Sequence, residues 1–144
     1  MDEWVMERYE LAKERIAQIP DEKMAEEPYC DFFTKEAMFL QQVIHVMDHG
    51  IAGKNLEELQ EQNHELYQDI LPENYENSYG NPAYAQKMLG EYGKVFTFLY
   101  TELHGTIAYA FEKKAWDLTV VLELFLEIYS AFTMPFRTRY YFVG

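Results

Sequence analysis

One cysteine, Cys30, stands in a chain of 144 residues, so no disulfide can close within it. Basic side chains are scarce: 12 Lys and Arg face 25 Asp and Glu, leaving a formal charge of -13 at pH 7 and a pI near 4.6. Nucleic acid and anionic lipid both ask for the opposite sign, because cationic side chains must displace counterions from phosphates. Neither partner is expected. Long apolar runs are also missing, since the richest stretch, Leu118 to Phe132, is broken by Glu123 and Glu127, and no membrane span is expected. The opening residues Met1, Asp2, Glu3 and Trp4 lack the basic-then-apolar profile of a signal peptide. Together with the lone cysteine, this predicts a reducing, cytoplasmic location. No Gly-x-Ser-x-Gly elbow, Walker loop or dinucleotide-binding glycine pattern occurs.

What the sequence does have is greasy material: hydrophobic residues make up 49% and aromatics 17%, a composition that disordered chains do not reach. The length suits one domain, since about 100 to 200 residues per domain is usual and a chain of about 150 buries roughly two-thirds of its unfolded surface. Apolar residues recur at helical spacing nearly throughout, and strand-like alternation is almost absent. The expected fold is therefore all-α, a single domain of five or six mostly antiparallel helices over residues 1–132. An aromatic tail, 133–144, follows it.

Val5, Tyr9, Ala12, Ile16 and Ile19 share one face of a first helix, Asp2 to Ile19, which Pro20 stops. An acidic loop, Asp21 to Glu27, leads to Pro28 in the first turn of a second helix reaching about His49, with Phe33, Ala37, Leu40, Ile44 and Met47 inside and Gly50 as its stop. Asn55 and Glu58 form a near-capping box for a third helix burying Leu56, Leu59, Leu66 and Ile70. Leu71 to Pro82 has loop composition, and Asn81 followed by Pro82 reads as cap and first turn of a short helix ending near Gly90. A longer helix, Glu91 to Lys114, buries Phe96, Leu99, Leu103, Ile107 and either Ala110 or Phe111. Asp117 can cap the last, which carries Leu118, Val121, Leu122, Phe125, Ile128 and Phe132. Gly105 interrupts a helical pattern at a cost of about 1 kcal/mol against Ala, which predicts a close helix contact there.

Candidate chemistry is thin. His45 and His49 stand four apart, a spacing that can aim two imidazoles at one metal, but Val46 occupies the place of the Glu that a zinc protease uses as base. A cationic pair near a helix C-terminus is the simpler reading. Glu61 and His64 form one Glu-x-x-His unit, whereas a di-iron bundle needs two. His104 has Thr101 three residues before it and His45 has Gln42, so neither supplies the second unit. His45, His49, Glu61 and His64 are thus the residues of an alternative reading, a small helical metal-binding protein or metallohydrolase, and the main expectation carries no metal, cofactor or catalytic residue. Cys30 lacks a visible base for nucleophilic work. Tyr67, Tyr75, Tyr79, Tyr84, Tyr92, Tyr100 and Tyr109 crowd the middle of the chain, which suits either a core rim or an interface. The tail holds Arg137 and Arg139, no acid, and Phe136, Tyr140, Tyr141 and Phe142, a set that calls for cover by the body or by another copy.

The run Asn63 to Ala85 (NHELYQDILPENYENSYGNPAYA), with Phe98 to Leu103 (FLYTEL), resembles the N-terminal helical region of bacterial leucyl aminopeptidases of the aminopeptidase T type, over roughly Trp4 to Phe132. In that family a two-metal catalytic domain of carboxylates, His and Tyr lies further along a much longer chain, so the resemblance carries no ligand residue to this one. It implies a non-catalytic accessory or interaction domain, either a naturally truncated product or a piece of a longer protein. The implied partner is a catalytic peptidase domain or another copy of the same chain, as in a homodimer.

Overall fold

A computed structural model describes residues 3–51 and 79–133. The described residues are all-α, with no strand among them: α1 (Glu3–Ile16), α2 (Asp21–Met24), α3 (Glu27–Ile51), α4 (Pro82–Leu89), α5 (Gly93–Lys113) and α6 (Thr119–Ala131). Single 3-10 turns, Gly90–Tyr92 and Trp116–Leu118, lead into α5 and α6. The third expected helix and most of the loop after it lie outside the described residues.

α1 stops three residues short of expectation, with Ala17, Gln18 and Ile19 held by turn hydrogen bonds before Pro20, yet Val5, Ala12, Ile16 and Ile19 are buried as expected and Tyr9 packs on the core. The segment expected as an acidic loop contains a helical turn. Pro20 stands at its N-cap with extended backbone, and Asp21 and Glu22 occupy a first turn where negative charge faces the positive end of the helix dipole. α3 passes through Gly50 to Ile51, so that glycine does not end it. Asn81 caps α4 as its sequence suggests, its side chain accepting from the Ala83 amide at 3.0 Å, with Pro82 at the first helical position where no amide hydrogen is needed.

The close glycine contact lies elsewhere than expected. Among the described residues, a Cβ at Gly105 would meet nothing within 4 Å, so none of them makes the close approach expected at that glycine. The close approach lies at Gly93, where a Cβ would stand 2.8 Å from the carbonyl carbon and oxygen of Ala85 and from the Gln86 Cα. Gly90, with φ of 69°, makes the reversal between α4 and α5 in a backbone region that glycine enters without strain. Asp117 caps nothing by its side chain: it sits within the 3-10 turn, and Leu118 is the N-cap of α6. Leu118, Val121, Leu122 and Phe125 are buried as expected and Ile128 and Phe132 pack half-buried against the core, while Tyr129, not expected on this face, is fully buried. Both Ala110 and Phe111 are buried.

Pairs along the helices set their directions. Trp4 meets Tyr109, Arg8 meets Glu102 at 3.1 Å and Arg15 lies over Phe98, so α1 and α5 are antiparallel. α3 packs along α6, its early residue Phe33 against Tyr129 and Phe132 at the far end of α6, which makes that pair antiparallel too. Tyr29 meets Phe96 while Glu36 meets His104, so α3 and α5 run the same way, as helices joined by a long crossover can. Phe32, Phe33, Phe96, Phe125 and Tyr129 fill the centre in edge-to-face and tilted contacts.

Candidate functional site

Glu36 lies three residues after Phe33 and four before Leu40, on the stripe of α3 that faces inward. It is 7% exposed. His104 lies one residue after the core position Leu103 on α5 and is 2% exposed. Their side chains meet with His104 Nε2 at 3.0 Å from Glu36 Oε2. An ionised carboxylate only accepts, so in that state Nε2 carries the proton and donates it to this bond. The imidazole also stacks on two rings, Phe39 at 4.7 Å with planes 4° apart and Tyr100 at 3.8 Å with planes 17° apart. Those rings hold the imidazole plane and shield the pair from water, which strengthens the hydrogen bond and raises the cost of breaking it. A carboxylate and an imidazole in contact could in principle move a proton, but here each is spent on the other beneath aromatic cover.

Tyr129 lies close to this pair. Its hydroxyl points to the Leu99 carbonyl at 3.5 Å, and burial, with the nearby Glu36 carboxylate as the second cause, pushes the phenol well above its ordinary pKa. Burial likewise raises Tyr29, whose hydroxyl donates to the Leu89 carbonyl at 2.7 Å and ties α3 to the end of α4. Tyr79 is raised by burial first and by Tyr84 second. Lys35 is raised by its hydrogen bond to Asp31, 3.0 Å away. Tyr79, Tyr84, Tyr92, Tyr100 and Tyr109 are all partly covered, at the rim of the core.

Of the residues expected as metal ligands, only the His45 side chain is described, and it stands apart from the Glu36–His104 pair. His45 is exposed on α3 and His49 lies in the last turn of that helix, while Glu61 and His64 are outside the described residues. Among the described residues no group of three or more His, Cys, Asp or Glu is placed to hold a metal. Cys30 is buried and its thiol donates to the Met24 carbonyl at 3.0 Å, tying α2 to α3. Enclosed thiols of this kind are packing elements, not nucleophiles.

Among the concavities lined by described residues are two of unequal size. The described residues on the wall of the larger, about 630 Å³, are Glu3, Met6, Glu7, Glu10, Leu11 and Glu14 of α1. The smaller, about 270 Å³, lies where the end of α1, α2 and the end of α6 meet, with Ile16, Ile19, Met24, Ile128 and Phe132 among its lining residues.

These features define an all-α domain whose buried acid and imidazole are engaged with each other. No described helix is long and apolar enough to cross a membrane. Compared with protein-family models, curated proteins and solved structures, the chain matches none. Of the residues on which the expected likeness rested, Tyr79 to Ala85 and Phe98 to Leu103 are described. They form the turn and cap of α4 and a stretch of α5 in which Leu99 and Leu103 are buried and the other residues half-buried.

Proposed function

We propose that this chain is a non-catalytic helical interaction domain, similar in kind to the N-terminal accessory domain of leucyl aminopeptidases of the T type. It works in the cytoplasm, against a catalytic peptidase domain or another copy of itself. The observation that carries the reading is the groove along α1. There the partly covered Met6 and Leu11 flank four glutamates, on the side of the helix opposite its core residues Val5, Ala12 and Ile16. A partner presenting apolar side chains among basic ones complements that wall in both area and charge. The Glu36–His104 pair supports the same reading from inside, because its polar atoms are committed to holding α3 against α5.

Two measurements test it together. Sedimentation equilibrium of the purified chain, alone and mixed with an aminopeptidase T catalytic domain, should show association that Glu7→Arg combined with Glu10→Arg weakens about tenfold or more, the scale on which like-charge contacts discriminate between partners. Hydrolysis of a leucyl-anilide by the pure chain with added zinc, manganese or cobalt, abolished by a chelator, would overturn the proposal.

A further inference from the structure

Described residues of three elements line the smaller cleft. Ile16 and Ile19 come from the end of α1 and the turn after it, Met24 from α2, and Ile128 and Phe132 from the end of α6, with Ala17 also on its wall. Among the described residues its polar lining is Lys13 and Asp21, and Lys13 is paired with Glu10 at 3.2 Å. At about 270 Å³ it falls just below the roughly 300 Å³ at which pockets for whole small molecules begin, a size for one or two apolar side chains. With Lys13 engaged, Asp21 leaves the rim slightly acidic.

The chain itself leads away from this cleft. Phe132 lines it and Thr133, the next residue, is fully buried, so residues 134–144 start beside it. Phe136 is three residues beyond Thr133, and extended chain covers about 3.3 to 3.6 Å per residue, so its ring can be placed within about 10 Å of that point. The stretch 134–144 carries Arg137 and Arg139 and no acid, the complement of Asp21 and of a body that holds the whole negative excess. Residues 52–78, the other stretch outside the described part, carry one Lys against seven acids and would meet the rim with like charge.

We propose that the cleft between α1, α2 and α6 is the seat of the chain's own residues 134–144, with Phe136 entering among Ile16, Ile19, Met24 and Ile128 and Arg137 facing Asp21. Attachment four residues away keeps the local concentration of the Phe136 ring high, so a single aromatic anchor is enough. This docking goes beyond the interaction-domain reading and uses a different surface, so either can fail without the other.

The test uses the full chain with its methyl groups labelled. Nuclear Overhauser contacts are expected between the Phe136 ring and the Ile16, Ile19, Met24 and Ile128 methyls, unchanged on tenfold dilution and absent from a mixture of labelled and unlabelled chains filtered for intermolecular contacts. Phe136→Ser should shift those methyl resonances and abolish the contacts, whereas Tyr141→Ser should leave them in place. Ala17→Trp, which fills the cleft from an exposed position, should displace the ring while the Leu99 and Leu103 methyls keep their shifts. Contacts that appear only in the filtered mixture would assign the cleft to the tail of a second copy and overturn the proposal. A Phe136 ring with no contact to any of the four methyls would overturn it as well.

Discussion

Glu36 on α3 and His104 on α5 are 68 residues apart in sequence and 3.0 Å apart in space, both buried, with Phe39 and Tyr100 stacked on the imidazole. They bridge two parallel helices that otherwise touch through aromatic side chains. Removing one partner leaves the other desolvated and unsatisfied, so Glu36→Leu or His104→Phe alone should cost about 3 to 5 kcal/mol. The two changes together should cost clearly less than either single change, because an apolar pair of similar volume suits this ring cluster. Urea denaturation of the four proteins in a double-mutant cycle gives the coupling. Additive losses would mean the pair contributes nothing as a pair.

Alanine at the two interior glycines should act with opposite signs. At Gly93 a Cβ would press to 2.8 Å on the backbone of Ala85 and Gln86, atoms that cannot swing away, so the α4–α5 hairpin must open. Gly93→Ala should destabilise by about 1 to 3 kcal/mol, the usual range for overpacking. At Gly105 the added methyl meets no described residue within 4 Å, and Gly105→Ala should stabilise by about 0.5 to 1 kcal/mol through helix propensity alone. Thermal melts of the two variants suffice, and a melting point lowered by Gly105→Ala would show that the site is crowded after all.

Helix placement was legible where one strong local signal acts alone. The stripe Phe33, Ala37, Leu40, Ile44 and Met47 is entirely buried, and Asn81 with Pro82 starts a helix, because periodicity and capping depend on neighbours in sequence. The full burial of Tyr129 on α6 was not legible. Tyr129 and Ile128 are adjacent and both suit a core, and the choice is made by Phe33 and Leu99 on other helices. The Gly105 expectation is not met among the described residues for a related reason, since propensity marks an odd residue but does not say whether a helix lies against it. The Glu36–His104 pair did leave a trace. Glu36 is in phase with Phe33 and Leu40, and a carboxylate on a core stripe needs a buried partner. Naming His104 as that partner required the crossover that sets α3 and α5 side by side.

Leu99 sits at 0% exposure in the middle of α5, in a core with Phe96, Leu103 and Tyr129. Leu99→Ala should therefore cost about 2 to 5 kcal/mol, the range for leucines truncated in packed cores. That is a large share of the roughly 5 to 15 kcal/mol that holds an ordinary domain together, so the variant should melt well below the parent or fail to fold. A loss under about 1 kcal/mol would mean that the cavity collapses easily or that Leu99 is not central.

Alkaline pH should weaken the fold through the buried phenol of Tyr129. Its pKa lies well above 10 in the fold because burial disfavours the phenolate and the Glu36 carboxylate repels it. A raised value in the folded state means that the stabilisation is complete below pH 10 and is lost as pH climbs from there through the folded-state value. Tyr29 and Tyr79 are raised in the same direction and act over the same window. Tyr129→Phe removes the titration at the most buried of the three and sacrifices only a long 3.5 Å hydrogen bond to the Leu99 carbonyl. Near neutral pH the variant should lose no more than about 1 kcal/mol. Between about pH 9 and pH 11 its urea midpoint should fall less steeply than that of the parent, so that the two curves converge or cross. Parallel curves would show that the folded state opens locally at Tyr129 before the phenol ionises.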